Sequence, residues 1–304
     1  MDLLPLELHS QIFELACVDD GSTARSLSIV SRYVRDVAEP FFYQSLTVAG
    51  LGPLTEFLAR LQRLPSHRRH VRRLFLSDRT AREMLQKSVP MDDANMDQYQ
   101  LEKSVIIHIL DLVAPALQSL TFLISCPFTS TELIGHLFSL KLPRLRALAV
   151  HGYYPFPHLP DAMPNVEHLH LSGNRNPHGL LQIGGLDVAC PRMTHLHVSG
   201  LVSASSFAEE LEEALSPDCC GRTASRFAAV LPPHLRRLTV QAGPAPPKAK
   251  RRSSACKLHE KMSERFVILT RRKDMVPEVE FNARVGCIDS VYESMHRDWA
   301  DDSV

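Results

Sequence analysis

The sequence lacks an excess of charge of either sign, and it lacks a long apolar run. Thirty-four Lys and Arg residues balance 34 Asp and Glu residues among 304, so the formal net charge is zero. This balance argues against a general affinity for nucleic acid or for an anionic membrane. The most apolar stretch, SVIIHILDLVAPAL, is interrupted by His108, Asp111 and Pro115, whereas a helix that spans a bilayer needs about 20 apolar residues. We therefore expect neither a membrane nor a nucleic acid as a partner.

Cysteine is sparse and shows no pairing pattern. The seven cysteines are odd in number and scattered, and no Cys-x-x-Cys occurs. Such usage favours reduced thiols over a disulfide framework. The sequence begins Met-Asp-Leu-Leu-Pro, without a basic region ahead of its apolar residues, so we expect no signal peptide. Together these features predict a cytoplasmic and/or nuclear protein.

Sequence patterns of common enzymes are also missing. The glycine-rich stretch QIGGLDVAC has the spacing of neither a phosphate loop nor a dinucleotide-binding turn, and it is interpreted as a loop within a repeat. No Gly-x-Ser-x-Gly and no His-Glu-x-x-His occurs, so no hydrolase elbow or zinc-protease helix is indicated. We expect a protein that is not itself catalytic and that needs no cofactor and no metal.

What the sequence does contain is a repeat. The frame Φ-x-x-Leu-x-Φ, with Φ apolar or aromatic, occurs seven times, and in five copies a proline stands two residues before the first Φ. Proline can end the preceding segment just before a strand, because it lacks a backbone donor and disfavours helix in the residue before it. The central leucines of the seven frames are Leu46, Leu74, Leu120, Leu148, Leu169, Leu196 and Leu238.

Four of the six spacings between these leucines lie in the range of about 20 to 29 residues that is usual for leucine-rich repeats, and the two long ones carry insertions. Helical patterns lie between the frames in PLTEFLARLQRL, LEKSVIIHILDLV and STELIGHLFSL, and Thr129 with Glu132 could form a capping box at the last of them. Residues 46–243 resemble the irregular leucine-rich-repeat family. The fold class so implied is α/β, a solenoid with a parallel sheet on its inner face and helices outside; an ordinary α/β domain is the alternative.

The residues that flank each central leucine should lie on the opposite face of the sheet, since strand side chains alternate. In two frames both flanking residues are histidine, so that His168 should neighbour His195 and His170 should neighbour His197. Arg237 flanks the next leucine, whereas Thr47, Arg73 and Phe75 flank earlier ones. Three interpretations compete: a solvated surface, a surface that binds a ligand or target protein, and a metal site of a metal-dependent enzyme. Parallel side chains do not readily converge on one metal ion, so the predicted target-binding residues are His168, His170, His195, His197 and Arg237, with no metal ligands.

The first 45 residues show a different pattern. Helical spacing follows a Leu-Pro start, then DDGS interrupts it, and Ser22 or Thr23 could cap a second helix that presents Leu27, Val30, Val34 and Val37 before Pro40. Leu4-Pro5-x-Glu7-Leu8, Ile12-Phe13 and Ser26-Leu27-x-x-Val30-Ser31-Arg32 resemble an F-box, in particular the fungal version. Where F-box patterns commonly place tryptophan, this chain has Val34.

The resemblance implies that residues 1–45 bind the small adaptor subunit of a cullin-type (SCF) ubiquitin ligase, and that the repeats present a target protein for ubiquitin transfer. A ligase-independent leucine-rich-repeat scaffold, whose N-terminal helices only cap the first repeat, is the alternative. The adaptor-binding residues that the resemblance implies are Leu4, Pro5, Leu6, Ile12, Phe13, Leu27 and Val30.

The composition changes after residue 243. Residues 244–257 form a proline-rich basic linker, in which Lys248–Arg252 could act as an import signal. Residues 258–304 are predicted as a C-terminal repeat or cap with an acidic tail. Within them ERFVILTRR is expected to form a strand, and VGCIDSVYESMHRDWADDSV a helix that closes the C-terminal end of the solenoid.

Overall fold

A computed structural model describes residues 4–85, 93–183, 185–215, 229–243, 254–270, 277–282 and 291–301. The chain forms two compact units, Met1–Ser125 together with Tyr292–Val304, and Cys126–Val291. The linker residues 244–253, including Lys248–Arg252, lie outside the described residues. Among the described helices, none is long and apolar enough to cross a bilayer.

The fold is α/β, with parallel strands that follow chain order within each unit. Every one of the seven repeat frames forms a strand, and each strand begins at the residue before the central leucine. The strands are β1 (Ser45–Ala49), β2 (Arg73–Ser77), β3 (Ser119–Leu123), β4 (Ala147–His151), β5 (His168–Ser172), β6 (His195–Leu201), β7 (Arg237–Ala242) and β8 (Glu278–Asn282).

Helices lie between most neighbouring strands, and the three predicted helical stretches are confirmed. The helices are α1 (Leu6–Ala16), α2 (Ser22–Val30), α3 (Arg32–Ala38), α4 (Leu51–Arg63), α5 (Ala81–Leu85), α6 (Asp93–Val113), α7 (Ser130–Ser139), α8 (Leu186–Ala189), α9 (Ser205–Ala214), α10 (Ser254–Thr270) and α11 (Val291–Asp301).

The second and fourth residues of each strand form what we call the even face of the sheet, and the first, third and fifth form the odd face. Even-face residues are the core of the repeats: Leu74, Leu76, Val150 and Leu171 have no measurable exposure. Leucine recurs at the second position because this face is removed from water, and burying one leucine side chain stabilises the fold by roughly 1.5–3 kcal/mol.

The second unit contains a strand that the frame did not include. β8 pairs in parallel with β7, with Val279 opposite Leu238 and Phe281 opposite Val240. Its second position holds valine instead of leucine, and a frame that admits valine would have found it. The expectation of a strand in ERFVILTRR was wrong, because residues 264–270 belong to α10, where Phe266 is buried and stacks on Phe281 with ring centroids 5.5 Å apart.

The glycine that follows several strands was not part of the frame. Gly50, Gly152, Gly173 and Gly200 each come directly after the fifth strand residue, and each has a positive φ. At Gly173 a side chain is excluded on steric grounds as well, because a Cβ would lie 2.4 Å from the carbonyl oxygen of Gly152. Glycine here lets successive turns approach each other closely.

The N-terminal helices differ from the prediction at one break. Ser31 has extended backbone and its hydroxyl accepts a hydrogen bond from the Val34 amide, so α2 ends and α3 begins where one helix was expected. Neither Ser22 nor Thr23 caps α2. Instead the Asp19 carboxylate accepts hydrogen bonds from the amide and hydroxyl of Thr23 and from the hydroxyl of Ser22, which satisfies free donors at the start of the helix.

The capping box predicted at α7 is also not formed. Thr129 makes no side-chain hydrogen bond to the helix. A capping box occurs before α5, where the Thr80 amide donates to Glu83 over 2.7 Å and the Glu83 amide donates to the Thr80 hydroxyl over 3.3 Å.

The C-terminal helix was predicted correctly but its location was not. α11 does not close the C-terminal end of the repeats. From Tyr292 onward it belongs to the first unit, where it packs on the odd face of β1 and β2. Trp299 of α11 is 2% exposed, and Phe75 at the centre of β2 is fully buried beneath the helix. Phe75 is an aromatic residue at an odd-face position, and its burial requires a covering element.

Candidate functional site

The odd face of the second unit carries the predicted histidine cluster. Registered pairing places His168 opposite His195 and His170 opposite His197, which confirms the expected neighbours. The first pair stacks with ring centroids 4.4 Å apart and planes 4° apart, and the second with 3.9 Å and 12°. The parallel register is the cause, since it places like residues of adjacent strands side by side.

A fifth histidine extends the cluster. His151, the last residue of β4, hydrogen-bonds the Ser172 hydroxyl through Nδ1 over 3.0 Å, and His170 Nε2 lies 2.8 Å from the Ser199 hydroxyl. The repeat interpretation considered only the two residues beside each central leucine, and so it missed the fifth position, where His151, Ser172 and Ser199 lie. We call His151, His168, His170, His195 and His197 the histidine ladder.

Burial keeps most of the ladder uncharged. Desolvation lowers the pKa of His151 to about 4. Desolvation also lowers the pKa of His170 well below its usual value, and the neighbouring His197 and His151 lower this pKa further. The pKa of His197 is lowered by burial, and that of His195 by burial and then by His168 and Arg237. The physical reason is that a buried cation loses its hydration. These four rings therefore gain a proton only at a lower pH than an ordinary histidine does.

The ladder does not have the geometry of a metal centre. Among the residues that the structure describes, no group of three or more His, Cys, Asp or Glu side chains is arranged to hold a metal ion. Stacked imidazoles present their nitrogens along parallel directions, whereas zinc needs ligands that converge tetrahedrally at about 2 Å.

The serine–histidine contacts are also poor candidates for nucleophilic catalysis. A general base works best when its pKa lies near the working pH, but the pKa of His170 lies far below neutrality. The groups that perturb this ring are two other histidines, not a carboxylate that would orient it. What the ladder offers is flat aromatic surface edged by neutral donors and acceptors.

Arg237 adds the nearest positive charge. It lies opposite His195 in the sheet, is exposed, and its Nε is 3.9 Å from a Glu280 carboxylate oxygen on β8. His168 is exposed as well, while His170, His195 and His197 are half-buried. The predicted target-binding residues therefore lie on one face of neighbouring strands, with the Arg237 guanidinium at one side and the imidazole rings at the other.

The N-terminal helices form a second candidate site. Their small core consists of Phe13, Val34, Val37 and Ala38, with Leu27 packed against it. Val34, at the position where F-box patterns commonly have tryptophan, is 2% exposed and belongs to this core. Phe13 is also buried, so it supports the helices from within and does not reach their surface.

The other large apolar residues of these helices are exposed. On α1 the stripe Leu8, Ile12 and Leu15 is 44%, 49% and 78% exposed. A stripe with this spacing ordinarily faces a core, but here the buried side of α1 is the one that carries His9 and Phe13. We call the outward-facing residues the apolar surface: Leu4, Pro5, Leu6, Leu8, Ile12, Leu15, Ile29, Val30 and Tyr33.

Five of the seven residues that the F-box resemblance implies for the adaptor lie on the apolar surface: Leu4, Pro5, Leu6, Ile12 and Val30. Leu8, Leu15, Ile29 and Tyr33 were not among the implied residues. Helical periodicity could have found Leu8 and Leu15, since with Ile12 they form one stripe. Tyr33 is oriented by a hydrogen bond of 2.8 Å between its hydroxyl and His9 Nδ1.

The helices are fixed to the first repeat by polar contacts. The Gln44 side-chain amide donates to the Glu14 carbonyl, and the Ser45 hydroxyl donates to the Val18 carbonyl. Arg72 pairs with the Glu14 carboxylate, and Arg73 Nη1 donates to the Val18 carbonyl over 2.9 Å. The apolar surface therefore stands on a support that is held at several points.

Comparisons with protein-family models and with curated proteins find no match to this chain.

Proposed function

We propose that this chain is the substrate-recognition subunit of a cullin-type (SCF) ubiquitin ligase, with F-box helices that bind the adaptor and leucine-rich repeats that bind a target protein. The observation that carries the proposal is the apolar surface. Large exposed apolar side chains concentrated on one small region mark a protein interaction site, and their sequence is the part of the chain that resembles an F-box.

The histidine ladder supports the receptor half of the proposal. Its rings are held in place by the sheet register and by stacking, so little side-chain entropy is lost when a partner binds. Neutral imidazoles offer one donor and one acceptor each. Such a face suits a polar segment of a target protein better than a metal ion or a strongly acidic ligand.

The adaptor interaction can be tested by co-purification of the full chain. Replacing Leu4 and Pro5 together by Glu places two charges on the apolar surface, and we expect adaptor recovery to fall at least about tenfold, because a charge left unpaired in a closed interface costs several kcal/mol. The matched control is Gln62→Glu on the exposed side of α4, which adds a charge elsewhere in the same unit. Normal adaptor recovery with the double variant would refute the proposal.

A ligase-independent scaffold is the second candidate, and the contacts from Gln44, Ser45 and Arg73 to the N-terminal helices favour it. Helices attached in this way cover the first strand whether or not an adaptor binds. Under this function the wild-type chain purifies without adaptor, and the Leu4/Pro5 variant keeps every protein partner that the wild type binds.

A further inference from the structure

The odd face of the first unit is occupied by a segment of the chain itself. Phe75 on β2 contacts three rings of α11, with centroid distances of 5.1 Å to Tyr292, 5.0 Å to His296 and 6.1 Å to Trp299. All three contacts have steeply inclined rings, with interplanar angles of 67° to 69°. Edge-to-face arrangements of this kind are favourable beyond the area they bury. Phe75 is therefore the centre of an aromatic docking surface.

Polar groups on either side of Phe75 add directional contacts. Arg73 Nη2 donates to the Trp299 carbonyl oxygen over 2.6 Å, and its guanidinium carbon lies 5.2 Å from the centre of the indole ring. Thr47 on β1 is hydrogen-bonded to His296 Nε2 over 3.2 Å. The helix thus contributes residues at positions i, i+4 and i+7, which is the spacing of an amphipathic helix laid in a groove.

The fit of α11 is incomplete at one atom. The indole Nε1 of Trp299 is buried and has no hydrogen-bond partner in the described part of the chain. A buried donor without an acceptor destabilises the packed state, because its lost hydrogen bond to water is not replaced. A tethered segment tolerates such a loss, because the covalent connection supplies a high effective concentration.

We propose that the odd face of the first unit is a binding surface for an amphipathic helix of a partner protein with aromatic residues at i, i+4 and i+7, and that α11 is its internal occupant. A partner helix with the same spacing and a better-satisfied indole or phenol replaces α11. The inference does not depend on adaptor binding, since α11 contacts β1 and β2 and the proposed adaptor surface lies on the N-terminal helices.

The experiment uses the full chain and a fluorescent peptide of residues 289–304 as the probe. We compare wild type with Trp299→Ala, whose own helix loses its largest contact. The labelled peptide should bind the variant with a dissociation constant at least about tenfold lower than for wild type, because the internal competitor is weakened. Arg297→Ala changes an exposed residue of α11 and should leave peptide binding as in wild type.

Two further measurements keep the test decisive. A peptide with Trp299→Ala should not bind either protein. If the Trp299→Ala chain does not fold, the proposal is tested by hydrogen exchange of the wild type with and without excess peptide. With the peptide present, amides of α11 should lose protection while those of β2 keep it. Equal peptide binding by folded wild type and variant, or unchanged exchange of α11, would overturn the proposal.

Discussion

The odd faces of the two units follow the same strand frame, but they differ in what covers them. In the first unit the third residue of β2 is Phe75, which is fully buried under α11, and the neighbouring Arg73 bonds to that helix. In the second unit the third residues of β5 and β6 are His170 and His197, which stack on each other and are half-buried. Backbone and register are shared, so the flanking side chains decide what covers the sheet.

The difference shows that the two faces of a repeat are under different constraints. The central leucines of the even face are buried in both units, as Leu74 and Leu169 illustrate. The odd-face residues differ in chemistry. In the first unit Phe75 is an aromatic centre that needs a hydrophobic cover, whereas in the second unit the imidazoles of the ladder remain at the surface. Four predictions probe this contrast.

The largest effect is expected from truncation at matched third positions. Phe75→Ala removes a fully buried ring and should lower the free energy of unfolding by about 3–5 kcal/mol. His170→Ala, at the corresponding position of β5, removes a half-buried ring and should cost less, about 0.5–1.5 kcal/mol. Urea unfolding of both variants measures this, and equal losses would contradict the contrast between the faces.

The second prediction concerns pH and applies to the second unit. The pKa of His151 is lowered to about 4 in the folded chain, so between about pH 6.5 and pH 4 the unfolded chain binds a proton that the folded chain excludes. The contribution of His151 to the free energy of unfolding is therefore fully present above about pH 6.5. It is lost as the pH drops to 4, and the loss from His151 alone is about 3 kcal/mol. Unfolding curves between pH 7.5 and 4 measure the loss.

His151→Gln should reduce this pH dependence, since it removes one titrating ring while His170, His195 and His197 remain. A variant of the exposed residue His67 is the control and should keep the wild-type slope. An unchanged slope in His151→Gln would show that other groups cause the acid loss.

The third prediction compares two arginines at first strand positions. Arg73 donates to the carbonyl oxygens of Val18 and Trp299, and Arg73→Gln should lower the free energy of unfolding by about 1–3 kcal/mol. Arg237 is exposed and makes one ion pair at 3.9 Å, so Arg237→Gln should change it by less than about 0.5 kcal/mol. Thermal unfolding compares the two variants. A large loss of stability in Arg237→Gln would contradict the expectation that the exposed Arg237 contributes little to the fold.

The smallest effect is the stacking energy within the histidine ladder. A double-mutant cycle with His170→Ala and His197→Ala should give a coupling of about 0.5–1.5 kcal/mol at pH 7.5. The same cycle on His168 and His195 should give less, because these rings are farther apart and His168 is exposed. Additive effects of the mutations at both pairs would show that stacking does not stabilise the histidine ladder.

Much of the fold was predictable because its signals are local and repeated. A strand formed in each of the seven frames, and helices formed in the three stretches that showed apolar periodicity. Two of the errors arose where a single residue changes the outcome. Val279 replaces leucine in β8, so the last strand was missed, and Ser31 divides one expected helix into two by adopting extended backbone.

The candidate sites were predicted less completely, because exposure is a property of packing. The sequence located the four stacked histidines, but not His151 or the lowered pKa values, which depend on burial between strands. It indicated an apolar N-terminal region, but not that Phe13 lies inside while Leu15 is 78% exposed. Both residues are apolar on one helix, and only the neighbouring α3 distinguishes their environments.

The sequence by itself determined the repeat: which residues form strands, which alternate onto the core, and which histidines become neighbours. Period and register carry this information, because alternation along a strand and parallel pairing leave few arrangements open. The tertiary structure alone decided that α11 returns to Phe75 and that the ladder remains at the surface. Such choices join residues far apart in the chain, as with Phe75 and Trp299, and they depend on which distant surface best removes an aromatic ring from water.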